Sequence, residues 1–142
     1  MPVLVFVDSS VWIAGARSPS GPSGAVLRLC EQGMVEPVVC SQVLAEVERN
    51  VRRKLPGALR QCRQVFAVLR PRVQPLPTPA EVERASQIVH PKDAPILAAA
   101  LNSASEYLVS LDRHFLRAAA RLAASIRIVT PGELLAALLP SQ

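Results

Sequence analysis

The chain has only three aspartates, and each stands at one end of an apolar run. Asp8 follows Val3-Leu4-Val5-Phe6-Val7, Asp112 follows Tyr107-Leu108-Val109-Ser110-Leu111, and Asp93 lies just before Ile96-Leu97-Ala98-Ala99-Ala100. Acidic side chains are ordinarily scattered over solvated faces. Here they stand where buried strands stop and helices start, the edge at which an open α/β sheet holds its ligands. Any one of them, taken singly, reads most simply as a helix N-cap. Caps are drawn from Ser, Thr and Asn as freely as from Asp, so three such placements with no aspartate elsewhere favour a shared site, and a ligand aspartate can also cap. Asp8 and Asp112 would end neighbouring strands at the point where strand order reverses. Two carboxylates about 5 Å apart repel by about 3 kcal/mol at an effective dielectric near 20, so without a cation such a site raises a carboxyl pKa or loosens. Oxygen-only ligands select Mg²⁺ or Mn²⁺ over zinc, and such an ion can supply a water as nucleophile. His90 and His114 flank two of the aspartates, but neither has a second His or Cys at zinc-ligand spacing. A structural or surface role is the simpler reading for both.

Strand and helix patterns alternate around these residues. Residues 3 to 7 read as a fully buried strand, and Ser23 to Gln32 as a helix stopped by Gly33. Glu36 to Cys40 reads as a second strand, followed by a helix with Ser41 as its N-cap and Val43, Leu44, Val47 and Val51 at helical spacing. Pro56-Gly57 breaks that helix, and Ala58 to Leu69 resumes as another. A strand around Val73 to Leu76 is stiffened by Pro75, Pro77 and Pro79, which make it a poor central strand. Helices follow from Thr78 or Pro79 to Val89 and from Pro91 to Asn102, the latter with Pro95 in its first turn. A strand at Tyr107 to Leu111, a helix at Arg113 to Ala124, a strand at Ile126 to Val129 and a Pro131-initiated helix to Leu139 complete the pattern. The fold class is therefore α/β, a mostly parallel central sheet of about five strands flanked by helices on both faces, in a single domain over residues 1–142. The loop from Ser18 to Gly24 is either a rim over the site or a plain connector.

The formal charge of +5 comes almost wholly from arginine, since Lys54 and Lys92 are the only lysines. Arg49, Arg52, Arg53, Lys54, Arg60, Arg63, Arg70 and Arg72 fall in one stretch. That is the pattern of a phosphate-backbone footprint and equally that of a solvated helical hairpin. A basic stretch in the same small domain as an acidic cluster favours a polyanion held by arginine and bridged to the carboxylates by metal. Three widely spaced cysteines suggest neither a disulfide framework nor a zinc site and fit a reduced, cytoplasmic setting. The apolar run at the start is too short for a signal peptide, and no run approaches a membrane span. Aromatic residues are scarce, so recognition by base stacking is not indicated.

Four segments in order, Val7-Asp8-Ser9-Ser10-Val11-Trp12, Ser41-Gln42-Val43-Leu44-Ala45-Glu46-Val47, Lys92-Asp93-Ala94-Pro95-Ile96-Leu97-Ala98-Ala99-Ala100 and Leu108-Val109-Ser110-Leu111-Asp112-Arg113-His114-Phe115, resemble the successive motifs of PIN-domain nucleases. The likeness extends from Val3 to about Leu138 and is nearest to the VapC-like toxins of toxin–antitoxin modules. The resemblance implies a single PIN-like domain in which Asp8, Glu46, Asp93 and Asp112 hold Mg²⁺ or Mn²⁺, with Ser10 and Ser110 supporting them. Periodicity alone does not separate Glu46 from Glu48. Many relatives carry a further acid where this chain has His114, which puts a fifth ligand in doubt.

By the same resemblance the activity is metal-dependent endoribonuclease hydrolysis of RNA, with Arg49, Arg52 and Arg53 gripping the backbone. The partners it implies are RNA, a cognate antitoxin and a second copy of the chain in a homodimer, with no membrane. The alternative is a catalytically silent PIN-like scaffold that binds RNA or protein. A receiver domain would need a phosphoacceptor aspartate ending its third strand, and a haloacid-dehalogenase-like phosphatase a second aspartate where Ser10 stands. The leucines at 134, 135, 138 and 139 exceed what a surface helix needs; core packing accounts for most of that excess, and an exposed remainder could join an interface.

Overall fold

A computed structural model describes residues 1–122 and 125–140. The first apolar run forms β1 (Val3–Val7), with Val5, Phe6 and Val7 fully buried. A continuous apolar run, rather than an alternating one, is what a strand covered on both faces requires. It is followed by α1 (Ser9–Arg17), α2 (Pro22–Glu31), β2 (Val35–Cys40), α3 (Ser41–Lys54), a 3-10 turn (Pro56–Ala58), α4 (Leu59–Leu69), β3 (Arg72–Gln74) and α5 (Pro79–Ala85). Then come α6 (Ala94–Asn102), β4 (Tyr107–Val109), α7 (Arg113–Arg117), α8 (Ala119–Leu122), β5 (Arg127–Val129) and α9 (Pro131–Leu138).

The five strands lie in the order β3-β2-β1-β4-β5, and every pairing is parallel. β1 is central. The chain builds outward to β3 on one side, then crosses back to place β4 on the other, so strand order reverses between β1 and β4. Val7 pairs with Val109, and the Asp8 N–H continues the ladder onto the Val109 carbonyl at 3.1 Å. Asp8 and Ser110 therefore leave the sheet side by side at its C-terminal edge, where a fold of this kind gathers its ligands.

Trp12 fixes the first helix to that edge. Its ring is 1% exposed, its Nε1 donates to the Val7 carbonyl at 2.9 Å, and its centroid lies 4.5 Å from that of Phe66 on α4. Such an aromatic contact contributes about 0.5–1.5 kcal/mol beyond the area it buries. The loop between α1 and α2 is short and tied down: the Arg28 guanidinium donates to the Pro19 carbonyl, and a Cβ at Gly24 would run into the backbone of Pro19. This loop borders a hollow shared with Leu111 and Thr130 but with none of the four acids.

Some local expectations are corrected. Ser41 is the first residue of α3 rather than its cap; Cys40 holds that position, with no side-chain cap bond. The helix after Thr78 is shorter than its periodicity suggests. Thr78 and Glu81 close a reciprocal capping box at its start, but it ends at Ala85 and passes into turns before Val89. The helix expected from Arg113 to Ala124 is interrupted at Ala118, and its last two residues, 123 and 124, lie outside the described residues. The strand at residues 72–74 is an edge strand, as the surrounding prolines indicate. The final helix buries Leu134 fully, and Leu139, just past its end, is exposed. No helix among the described residues is long and apolar enough to cross a membrane.

Candidate active site

Asp8 occupies the N-cap position of α1, yet its carboxylate makes no cap bond. It is 3% exposed, and its Oδ2 accepts from Ser110 Oγ at 2.7 Å and from Ser10 Oγ at 3.1 Å. Each serine also accepts a backbone N–H: Asp112 N donates to Ser110 Oγ at 2.9 Å, and Leu111 N donates to Ser10 Oγ at 3.0 Å. A backbone N–H can only donate and an ionised carboxylate can only accept. The single hydroxyl proton of each serine is therefore committed to Asp8. Two serines thus bind the segment after β4 to the end of β1 and occupy one oxygen of Asp8, leaving Oδ1 without a side-chain donor among the described residues.

Burial pushes the Asp8 carboxyl up to about 6; the hydrogen bond from Ser110 works against that rise, and the nearby Glu46 charge adds to it. Glu46 comes from α3, and its Oε1 accepts from Ser9 Oγ at 2.9 Å. Glu48, two residues on, faces away and accepts from Arg52 at 3.0 Å and from Arg63 at 2.8 Å. The helix thus turns one glutamate to the sheet edge and the other to solvent. Those two arginines hold the Glu48 carboxyl down at about 2.

Asp93 is 9% exposed and stands at the start of α6 without capping it. Burial, and then the charge of Asp112, push its carboxyl up, while His114, Lys92 and His90 pull it down. Asp112 does cap: its Oδ1 accepts the His114 N–H at 2.8 Å. Capping therefore accounts for only one of the three aspartate side chains.

The structure thus brings Asp8 together with Glu46, and Asp93 together with Asp112. Among the described residues no three His, Cys, Asp or Glu side chains stand close enough to form one ion cage. The donor set nonetheless suits a hard dication. It is all carboxylate and hydroxyl, and Asp8 and Asp93 are buried, with both carboxyls raised first by that burial and then by an acidic neighbour. Ser10 and Ser110 both touch Asp8. Arg52 is engaged by Glu48, whereas Arg49 and Arg53 are exposed and have no carboxylate partner among the described residues. All three cysteines are free.

Sequence reasoning missed Ser9. Consecutive serines in the first turn of a helix diverge by about 100°, so Ser10 returns to Asp8 while Ser9 reaches across to Glu46. The pair of serines after Asp8 was the available signal.

Comparison with solved structures finds the same architecture. The protein PAE2754 of Pyrobaculum aerophilum superposes with a TM-score of 0.69 at 19% identity, over 99% of this chain and 98% of that one. VapBC2 of Rickettsia felis, solved bound to a DNA fragment from its promoter, gives 0.62 at 12% identity over 90% and 98%. Mycobacterium tuberculosis VapC20, described as a sarcin-ricin loop cleaving toxin, gives 0.58 at 21% identity over 80% and 94%. At such identities the likeness is one of fold. No curated protein sequence matches the chain. Residues 4–114, most of the chain and all four acids, match the PIN domain family; with a five-stranded parallel sheet and its acids at the C-terminal edge, the chain belongs to the PIN domain family.

Proposed function

We propose that the protein is a metal-dependent endoribonuclease of VapC type, the toxin of a toxin–antitoxin pair, with Asp8, Glu46, Asp93 and Asp112 as the acids that hold Mg²⁺ or Mn²⁺. The observation that carries this reading is Asp8 itself, which stands at the edge where strand order reverses, desolvated, beside Glu46 and held by two hydroxyls that a cap would not need. The fold it shares with VapC20 and VapBC2 supports it further.

When bound, the ion would lower the pKa of a water and offset charge on the phosphate oxygens. The chain's own residues do the positioning. Ser10 and Ser110 fix one oxygen of Asp8 and so its orientation. Ser9 holds Glu46 against the same edge. Asp93 and Asp112 form the more open half of the site, where a phosphodiester can approach. Arg49 and Arg53, with Arg52 beside them, attract the RNA backbone without reading its sequence. An antitoxin segment covering the edge and a homodimer built on helices complete the proposal, with the exposed Leu139 available to an interface.

The test is cleavage of labelled structured RNAs by purified protein with Mn²⁺, with Mg²⁺ and with EDTA, beside Asp93→Asn. Metal-dependent cutting by the wild type alone is expected. Equal cutting by both proteins would reveal a contaminant, and silence in both, together with no metal binding, would leave a PIN-like scaffold.

A further inference from the structure

The chain has two histidines, at positions 90 and 114, and both line one hollow of about 240 Å³. Arg117 and Arg121 complete its rim over Val89 and Ala118, which are buried. No carboxylate lies within ion-pair distance of either arginine among the described residues. Its lining is mostly polar, whereas the larger groove between α1, α2 and α4 is mostly apolar. The residues come from two segments more than twenty positions apart, the loop before α6 and the α7–α8 turns.

Backbone bonds tie this hollow to the open pair of acids. Asp93 N donates to the His90 carbonyl at 2.8 Å, and His114 N donates to the Asp112 carboxylate at 2.8 Å. Each histidine is therefore anchored within one turn of one of the two aspartates. His90 Nδ1 accepts the Lys92 N–H at 3.0 Å, which places the ring proton of the neutral tautomer on Nε2 and makes His90 a donor to the hollow. A donor-rich, acid-free hollow beside two carboxylates suits one ligand class: a phosphate on the same strand as a phosphodiester held at those carboxylates.

We propose that His90, His114, Arg117 and Arg121 form a seat for an RNA phosphate adjacent to the one at the acidic edge. The proposal rests on the nuclease reading for the identity of the strand. It gives a role to His114, which stands where many relatives carry an acid. The seat fixes the register of the strand across Asp93 and Asp112 and adds no base preference.

The experiment is binding of a fluorescein-labelled single-stranded RNA, read by anisotropy in EDTA over a salt series, so that cleavage does not enter. Arg117→Gln/Arg121→Gln is compared with Arg70→Gln/Arg127→Gln, which removes the same charge where β3 and β5 begin, at the opposite edge of the sheet. All four side chains are exposed, and a thermal melt of each variant verifies folding. The first double variant should lose about tenfold in affinity and flatten the log–log salt slope by about 1.4, the value for two single-strand phosphate contacts. The second should lose clearly less. Equal losses would reduce the effect to general attraction and overturn the seat. Unchanged binding by the first double variant would also overturn it and leave the hollow to an acidic protein segment. Metal-dependent cleavage alongside unchanged binding would remove the seat and keep the nuclease; seat-dependent binding without cleavage would do the reverse.

Discussion

Asp8 with Glu46 and Asp93 with Asp112 are both carboxylate pairs at one sheet edge, yet they are kept in opposite ways. The first pair is held by neutral hydroxyls, with Asp8 almost wholly buried and no cation acting on it. The second is more open and is surrounded by His90, Lys92 and His114. Neutral donors fix geometry without cancelling charge, so the first half keeps its demand for a cation. In the second half Lys92 and two imidazole rings stand beside the acids, where they also face a polyanion. Under the proposed nuclease function, the difference would assign the first half to preorganisation and the second to meeting the substrate.

The largest expected effect comes from the open half. Asp93→Asn should lower RNA cleavage by more than about a hundredfold, beyond the 10–100-fold typical of losing an outer partner of a metal ligand, with the melting temperature little changed. Single-turnover cleavage rates measure it. A variant that retains most of its activity would remove Asp93 from the chemistry and break the proposed division of labour.

The next effect is one of stability in the closed half. The folded protein holds the Asp8 proton up to about pH 6, whereas the unfolded chain releases it near 3.8. The folded state therefore binds more protons across that window, and stability falls as pH rises through it, by about 3 kcal/mol from this group at 1.36 kcal/mol per unit. Asp8→Asn should abolish that component and raise metal-free stability at pH 7, while removing activity. Urea midpoints of the two proteins in EDTA at pH 4 and pH 7 test this. A lower midpoint for the variant at pH 7 would mean that Asp8 is not an uncompensated charge.

Ser110→Ala comes third. It strips one donor from Asp8 and orphans the Asp112 N–H, a loss of about 1–3 kcal/mol for a buried polar group. Cleavage should fall by about 10–100-fold as the acid loses its fixed orientation. Ser110→Thr, which keeps the hydroxyl, should recover part of both. Failure of threonine to recover either would point to packing rather than hydrogen bonding as the role of the serine.

Much of this arrangement was legible because it depends on local pattern. The apolar run before Asp8 specified a buried strand, Pro95 and Pro131 marked helix starts, and the prolines around β3 marked an edge. The pairing of β1 with β4 followed from the alternation of strand and helix, but β4 ends at Val109 rather than Leu111, and Asp112 lies beyond it as the cap of α7, beside Asp93 rather than Asp8. What could not be read depends on side-chain direction or on distant segments. Whether Asp93 spends its carboxylate on a cap is a matter of rotamer, and the meeting of His90 with Arg117 and Arg121 joins residues with no common period. The early end of α5 and the break at Ala118 are places where tertiary packing overrides helix propensity.

The smallest expected effect separates two neighbours on one helix. Glu46 and Glu48 differ by two positions, about 200° around α3, so one meets Ser9 at the site while the other meets Arg52 and Arg63 in solvent. Exposed ion pairs contribute little net stability, because the charges are already well solvated and the long side chains lose freedom on pairing. Glu48→Gln should therefore leave cleavage unchanged and shift the melting midpoint only slightly, with that slight shift fading further in high salt. Glu46→Gln keeps an oxygen to accept from Ser9 but removes the charge beside Asp8, so it should reduce cleavage sharply while making Asp8 easier to ionise. Running the two variants in parallel controls for helix propensity, size and hydrogen-bonding capacity, and leaves only direction. Equal activity in both would show that the inward turn of Glu46 is packing, and the closed half of the edge would then rest on Asp8 alone.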